Sequence, residues 1–247
     1  NGATIKMTAN RRTAHGHAMP RSDQRLREPL LFGQGVTRLG DLPTPGLWWP
    51  KGQHYAQNSA QNFIFDIGQA LTWAELLGKD PWGSDTRIRA IRRGEGAIKG
   101  TLAEDCELIP GWQVEGRNIY AVPNGGGDTA DSITAFYSLF VEWDHLSLVE
   151  QLELPAQLGL PSPTFGLFTG GKSLHVYWVF EQPIEAARWR PLIQRLINHC
   201  GSDPAVKDPS RCMRLPGAWY IHKDGSVGDK STLLNITGDR FTPELFE

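Results

Sequence analysis

The sequence predicts a mixed α+β domain. Residues 136–141 and 176–180 are hydrophobic stretches rich in β-branched and aromatic side chains, as strands are. Residues 67–77 and 184–200 instead repeat their apolar residues with a helical period. These segments alternate along the chain without a strict βαβ rhythm, and no internal repeat is visible.

The elements follow in order. Residues 1–45 are polar and rich in Gly and Pro, with no sustained period, and are expected to form a flexible basic arm. Ile67, Ala70, Leu71, Ala74 and Leu77 mark the first helix. Residues 87–91 and 118–122 alternate as short strands, the second closed by the loop Pro123-Asn124-Gly125-Gly126-Gly127-Asp128. A strand ends at Asp144, and residues 147–158 form a helix expected to break near Pro155. Residues 164–169 and 173–180 are strands joined by a turn at Gly170-Gly171. The helix over 184–200 turns Ala187, Leu192, Leu196 and Ile197 inward. Residues 232–236 are a late strand, and Thr242-Pro243-Glu244 starts a last helix. The expected division is the arm, 1–45, then one domain, 46–247, with portions 46–130 and 131–247.

With 247 residues, 40% hydrophobic and 21% charged, the chain suits a soluble fold with a real core. No apolar run is long enough to span a membrane, so no membrane partner is expected. The chain opens on Asn1 with no secretory leader, which reads as an excised fragment of a cytoplasmic protein. Cys106, Cys200 and Cys212 read as reduced thiols. No structural zinc is expected, because no paired CxxC supports His199, Cys200, Cys212 and His222 as ligands. Net charge is −2, but basic residues cluster twice: Lys6, Arg11, Arg12, Arg21, Arg25 and Arg27 in the arm, and Arg87, Arg89, Arg92, Arg93 and Lys99 further on. Either cluster suits a phosphate backbone or a plain solvated face.

Residues 166–173 satisfy GxxxxGK[ST], the phosphate loop of many NTPases. That loop works only where it opens a helix, whose first N–H groups hold the phosphates. Here Leu174-His175-Val176-Tyr177-Trp178 follows, a strand sequence, so a hairpin turn is expected instead.

Three polar stations lie on this framework. Glu142 and Asp144 are two residues apart, which on a strand puts both carboxylates on one face. Such a pair is costly without a cation, and its hard oxygens suit Mg²⁺ or Mn²⁺. Ser173 and His175 share the same spacing on the next strand. Asp203, for which no local reason is apparent and with Asp208 as its rival, precedes Arg211 and Arg214. Arginine forks match two phosphate oxygens. Taken singly, each station also has a plain reading: a strand cap, a core histidine, surface ion pairs.

As an ordered set, Glu142-x-Asp144, Gly-Gly-Lys-Ser173-x-His175 before Tyr-Trp, and Asp203 followed by Arg211-Cys-Met-Arg214-Leu-Pro-Gly resemble the archaeo-eukaryotic primase superfamily. The resemblance is to its branch of primase–polymerases carried by plasmids, phages and bacterial mobile elements. Residues 120–133 resemble that branch as well, and the likeness spans about residues 115–220. Glu142 departs from it, since Asp commonly leads the first motif. The resemblance implies an RRM-like sheet carrying the motifs beside an N-terminal α/β portion. It implies a primase–polymerase, a nucleotidyltransferase able to start chains and extend a primer strand on single-stranded DNA with dNTP or NTP, in replication or repair. Glu142, Asp144 and Asp203 would hold two Mg²⁺ or Mn²⁺ ions. Ser173, His175, Arg211, Arg214 and Lys172 would bind the nucleotide. Arg117, Asn124, Arg87 and Arg89 are candidates for nucleic-acid contact, and a helicase domain or other replication proteins are conceivable partners. The competing expectation is a non-catalytic single-stranded nucleic-acid-binding module. A P-loop NTPase and a nicking initiator built on His15-Gly16-His17 match less well.

Overall fold

Residues 63–247 are described by a computed structural model. The arm, its basic cluster and His15 and His17 lie outside the described residues. Helix α1 (Ile67–Leu77) falls where its period places it and buries Ala70, Trp73, Ala74 and Leu77. Strands β1 (Arg87–Ile91) and β2 (Ile98–Thr101) form an antiparallel hairpin. Helices α2 (Leu102–Asp105) and α3 (Ile109–Val114) lead to β3 (Asn118–Ala121), which pairs with β1.

Next come β4 (Phe136–Glu142), α4 (Leu148–Gln157), β5 (Phe165–Phe168), β6 (Leu174–Ile184) and α5 (Ala186–Cys200). Strand β6 lies between β4 and β5 and is antiparallel to both. This β-α-β-β-α run with the third strand central has the opening order of an RRM-like unit. Strand β10 (Thr232–Leu234) extends the sheet beyond β5, and β11 (Arg240–Phe241) runs parallel to the outer half of β6. The first sheet takes its last strand, β7 (Met213–Arg214), from far downstream, so its order is β2-β1-β3-β7. A separate hairpin joins β8 (Trp219–Ile221) to β9 (Val227–Lys230).

Helix α4 is fixed at its start by a capping box, in which Ser147 and Glu150 satisfy each other's backbone N–H. It does not break at Pro155. The ring removes one backbone donor, but Pro155 is buried against the sheet side of the helix and the turns continue to Gln157. Helix α5 packs on β4, where Trp189 stacks near Phe136 and donates its indole N–H to the Ser138 carbonyl at 2.9 Å. Gly201, in the left-handed region at φ 61°, ends α5 and turns the chain back toward the end of β4. No helix among the described residues is long and apolar enough to cross a membrane.

Candidate active site

Antiparallel register builds the first half of the site. Glu142 on β4 faces His175 on β6, and the His175 Nε2 lies 3.1 Å from a Glu142 carboxylate oxygen. The strand ends at Glu142, yet the alternation persists for two residues. Trp143 is buried, Asp144 is exposed, and the Ser173 hydroxyl donates to the Asp144 carboxylate at 2.9 Å. Lys172 is exposed and donates to the Asp144 carbonyl.

The third station arrives from α5. Ser202 Oγ accepts from the Glu142 amide at 3.1 Å and donates to its carbonyl at 3.0 Å, while the Asp203 amide donates to that same carbonyl at 3.2 Å. Trp143 adds a bond from its indole N–H to the Cys200 carbonyl. The end of β4 is thus stapled to residues 200–203. A local role for Asp203 also emerges, correcting the sequence reading: its Oδ1 caps the short 3₁₀ helix Pro204–Lys207 by accepting from Ala205. An Asp directly before a Pro is the signal that announces such a cap. Asp208 instead accepts from Ser210 in the next turn.

Arg211 closes this half. One of its terminal nitrogens donates both to Glu142 and, at 3.0 Å, to Asp203. Two carboxylates therefore converge on one cation. Burial alone would raise the Glu142 carboxyl, but His175 and Arg211 together outweigh it and bring it down to about 2. Glu142 and Asp203 are brought together; Asp144 stays on Ser173. Among the described residues no three His, Cys, Asp or Glu side chains form a ready-made metal cluster. Glu142 and Asp203 nevertheless supply hard carboxylate oxygens of the kind a divalent cation takes.

Arg214 lies deeper. It is 6% exposed, its Nη1 donates to Asn118 at 2.6 Å, and the rings of Tyr120 and Tyr220 flank its guanidinium. The turn carrying Lys172 and Ser173 is held from two sides. Gln151 of α4, fully buried, donates to the carbonyls of Leu146 and Lys172 and accepts from the Leu174 amide. The β8–β9 hairpin presses on the turn so closely that a Cβ at Gly170, whose φ is +83°, would come within 2.2 Å of the Asp229 carbonyl oxygen. Gly170 thus admits a neighbouring backbone and Gly171 the Tyr220 ring, and a strand, not a helix, follows Ser173. Ser202, Gln151, Asn118, Tyr120 and Tyr220 escape sequence reasoning, because their partners are remote in the chain.

The four residues expected at nucleic acid are placed differently. Asn124 is fully buried, its amide donating to the Pro209 carbonyl, so its side chain is closed to solvent. Arg89 is 3% exposed and pairs with Asp128. Arg87 shares Asp128, and Arg117 pairs with Glu95 and Glu115 at the surface.

No protein-family model matches this chain, and no curated protein does. Solved structures do. The AEP domain of the primase–polymerase of cyanophage S-2L is 37% identical, with a TM-score of 0.67 over 74% of this chain and 97% of that one. The primase RepB′ shares 17% identity at a TM-score of 0.53, over 73% of this chain and 60% of that one. The catalytic domain of RepB′, solved with initiator DNA, shares 14% at 0.50, over 72% and 92%. The two RepB′ structures bear on the fold alone, whereas identity to the phage domain over nearly its whole length carries kinship. The chain belongs to the archaeo-eukaryotic primase superfamily, in its primase–polymerase branch of nucleotidyltransferases.

Proposed function

We propose that this chain copies a single-stranded DNA template, joining the α-phosphate of a dNTP or NTP to a primer 3′-hydroxyl and releasing pyrophosphate. The observation that carries the reading is the convergence of Glu142 and Asp203 on Arg211, beside Ser173, His175 and Arg214. A template strand is supported by kinship with the phage primase–polymerase, and one similar fold has been solved with initiator DNA.

In this reading Glu142 and Asp203, with Asp144 at the same strand end, hold Mg²⁺ or Mn²⁺. When bound, such ions lower the pKa of a hydroxyl and offset charge on a leaving phosphate. The protein's own groups do the rest. Ser173 and His175 donate hydrogen bonds to triphosphate oxygens, and Arg211 and Arg214 offset their charge, with Lys172 as an outer point charge. Arg214 arrives pre-oriented, so little ordering is left for the moment of binding. Residues 46–130 and 131–247 act as one catalytic domain, and the basic residues within 1–45 add affinity for nucleic acid.

The test is a single-stranded template incubated with labelled ATP or dATP and Mn²⁺, with and without primer. Metal-dependent product that disappears in Asp144→Ala is expected. Template binding in a gel shift with no incorporation under either ion would instead leave a non-catalytic module.

A further inference from the structure

Tyr220 touches two parts of the site at once. Its ring centroid lies 4.8 Å from the Arg214 guanidinium carbon, and Tyr120 flanks the same group at 4.4 Å. Tyr120 and Arg214 are register partners on β3 and β7. Asn118 Oδ1 accepts from Arg214 and also from the Ile221 amide at 2.9 Å, so the strand carrying Tyr220 hangs from the amide that orients the arginine. On the other side is the turn between β5 and β6. A Cβ added at Gly171 would meet Tyr220 Cε2 at 3.2 Å and Cζ at 3.3 Å. The Asp229 amide donates to the Gly170 carbonyl at 2.9 Å, which docks the rest of the hairpin there. His222 meets the Tyr220 ring edge-on, with centroids 4.8 Å apart, and limits its freedom to shift.

We infer that Tyr220 is a positioning residue for nucleotide binding: its ring sets the spacing between Arg214 and the Gly170–Ser173 turn, so that both grip one triphosphate. This rests on the assignment of Arg214 and Ser173 to the nucleotide. The β8–β9 hairpin that carries Tyr220 links the face of Arg214 to that turn. Removing the ring frees the guanidinium on one face and leaves the turn unsupported at Gly171. The loss falls on binding of the phosphates and not on the carboxylates, which Ser202 and Arg211 hold independently.

Four variants of the whole chain test this, on a primed template with Mn²⁺ over a range of nucleotide concentrations. Binding of an α,β-methylene dNTP, which cannot be incorporated, is measured alongside. Tyr220→Leu should raise the nucleotide KM and weaken analogue binding about tenfold, with kcat changed less than about twofold. Tyr220→Phe, which keeps the ring, should restore both. Gly171→Ala should act like Tyr220→Leu by displacing the ring, and it decides the matter if Tyr220→Leu does not fold. Unchanged KM in both Tyr220→Leu and Gly171→Ala, or a Phe variant as impaired as the Leu variant, overturns the inference. Arg214→Lys separates the two levels. If it raises KM while the ring variants do not, only the positioning role fails. If it leaves KM unchanged, the nucleotide assignment fails and takes this inference with it.

Discussion

The Asp203 amide donates to the Glu142 carbonyl at 3.2 Å, so two acids sixty-one positions apart are joined through their backbones before their side chains meet on Arg211. Their separation is therefore set by a staple that needs no ligand. A site built this way is pre-organised for charge, which is where phosphoryl-type chemistry gains most.

Asp203 has two tasks that substitution can separate. Asp203→Asn keeps an oxygen for the 3₁₀ cap but loses the charge, so incorporation should fall at least about a hundredfold with melting nearly unchanged. Asp203→Ala loses the cap too and should cost about 1 kcal/mol more in denaturant unfolding. Full activity in Asp203→Asn would remove this acid from the site.

Ser202 should behave as a support. Ser202→Ala leaves the Glu142 amide without its hydroxyl acceptor in a buried position. A loss of about 1–2 kcal/mol in urea unfolding is expected, accompanied by reduced incorporation. Lost stability with undiminished kcat would show that the staple does not position the acids.

Glu142 predicts an acid limb. Its folded pKa of about 2 lies below the ordinary 4.5, because His175 and Arg211 outweigh its burial. The stabilisation is fully present above pH 4.5 and is lost as pH falls through about 2. It is on the order of 3 kcal/mol at most. Unfolding measured across that window should show the slope in the native protein and a flatter one in Glu142→Gln.

Arg211 and a divalent ion should compete for the same carboxylates. Arg211→Gln leaves Glu142 and Asp203 without their shared cation, which should lower stability by about 3 kcal/mol. Mn²⁺ should then raise the melting temperature of this variant more than that of the native protein. An equal response in both would place the ion elsewhere.

Apolar patterning alone located α1, β1 and β4 to within two residues, because each carries its own burial signal. It misplaced a break at Pro155, since a single missing N–H is tolerated where the helix is held from the sheet side. It also missed β7, a two-residue strand that owes its pairing to the distant β3, and the short strands of the β8–β9 hairpin.

From the order of its residues alone the chain declared its three stations, its mixed α+β character and its family resemblance, since motif spacing and apolar period are local properties. Only the folded chain decided that Glu142 meets Asp203 while Asp144 stays with Ser173, that Asn124 and Arg89 turn inward, and that the glycines before Ser173 make room for a hairpin. Those outcomes depend on contacts between segments far apart in sequence, where packing and burial outweigh any preference a residue carries by itself.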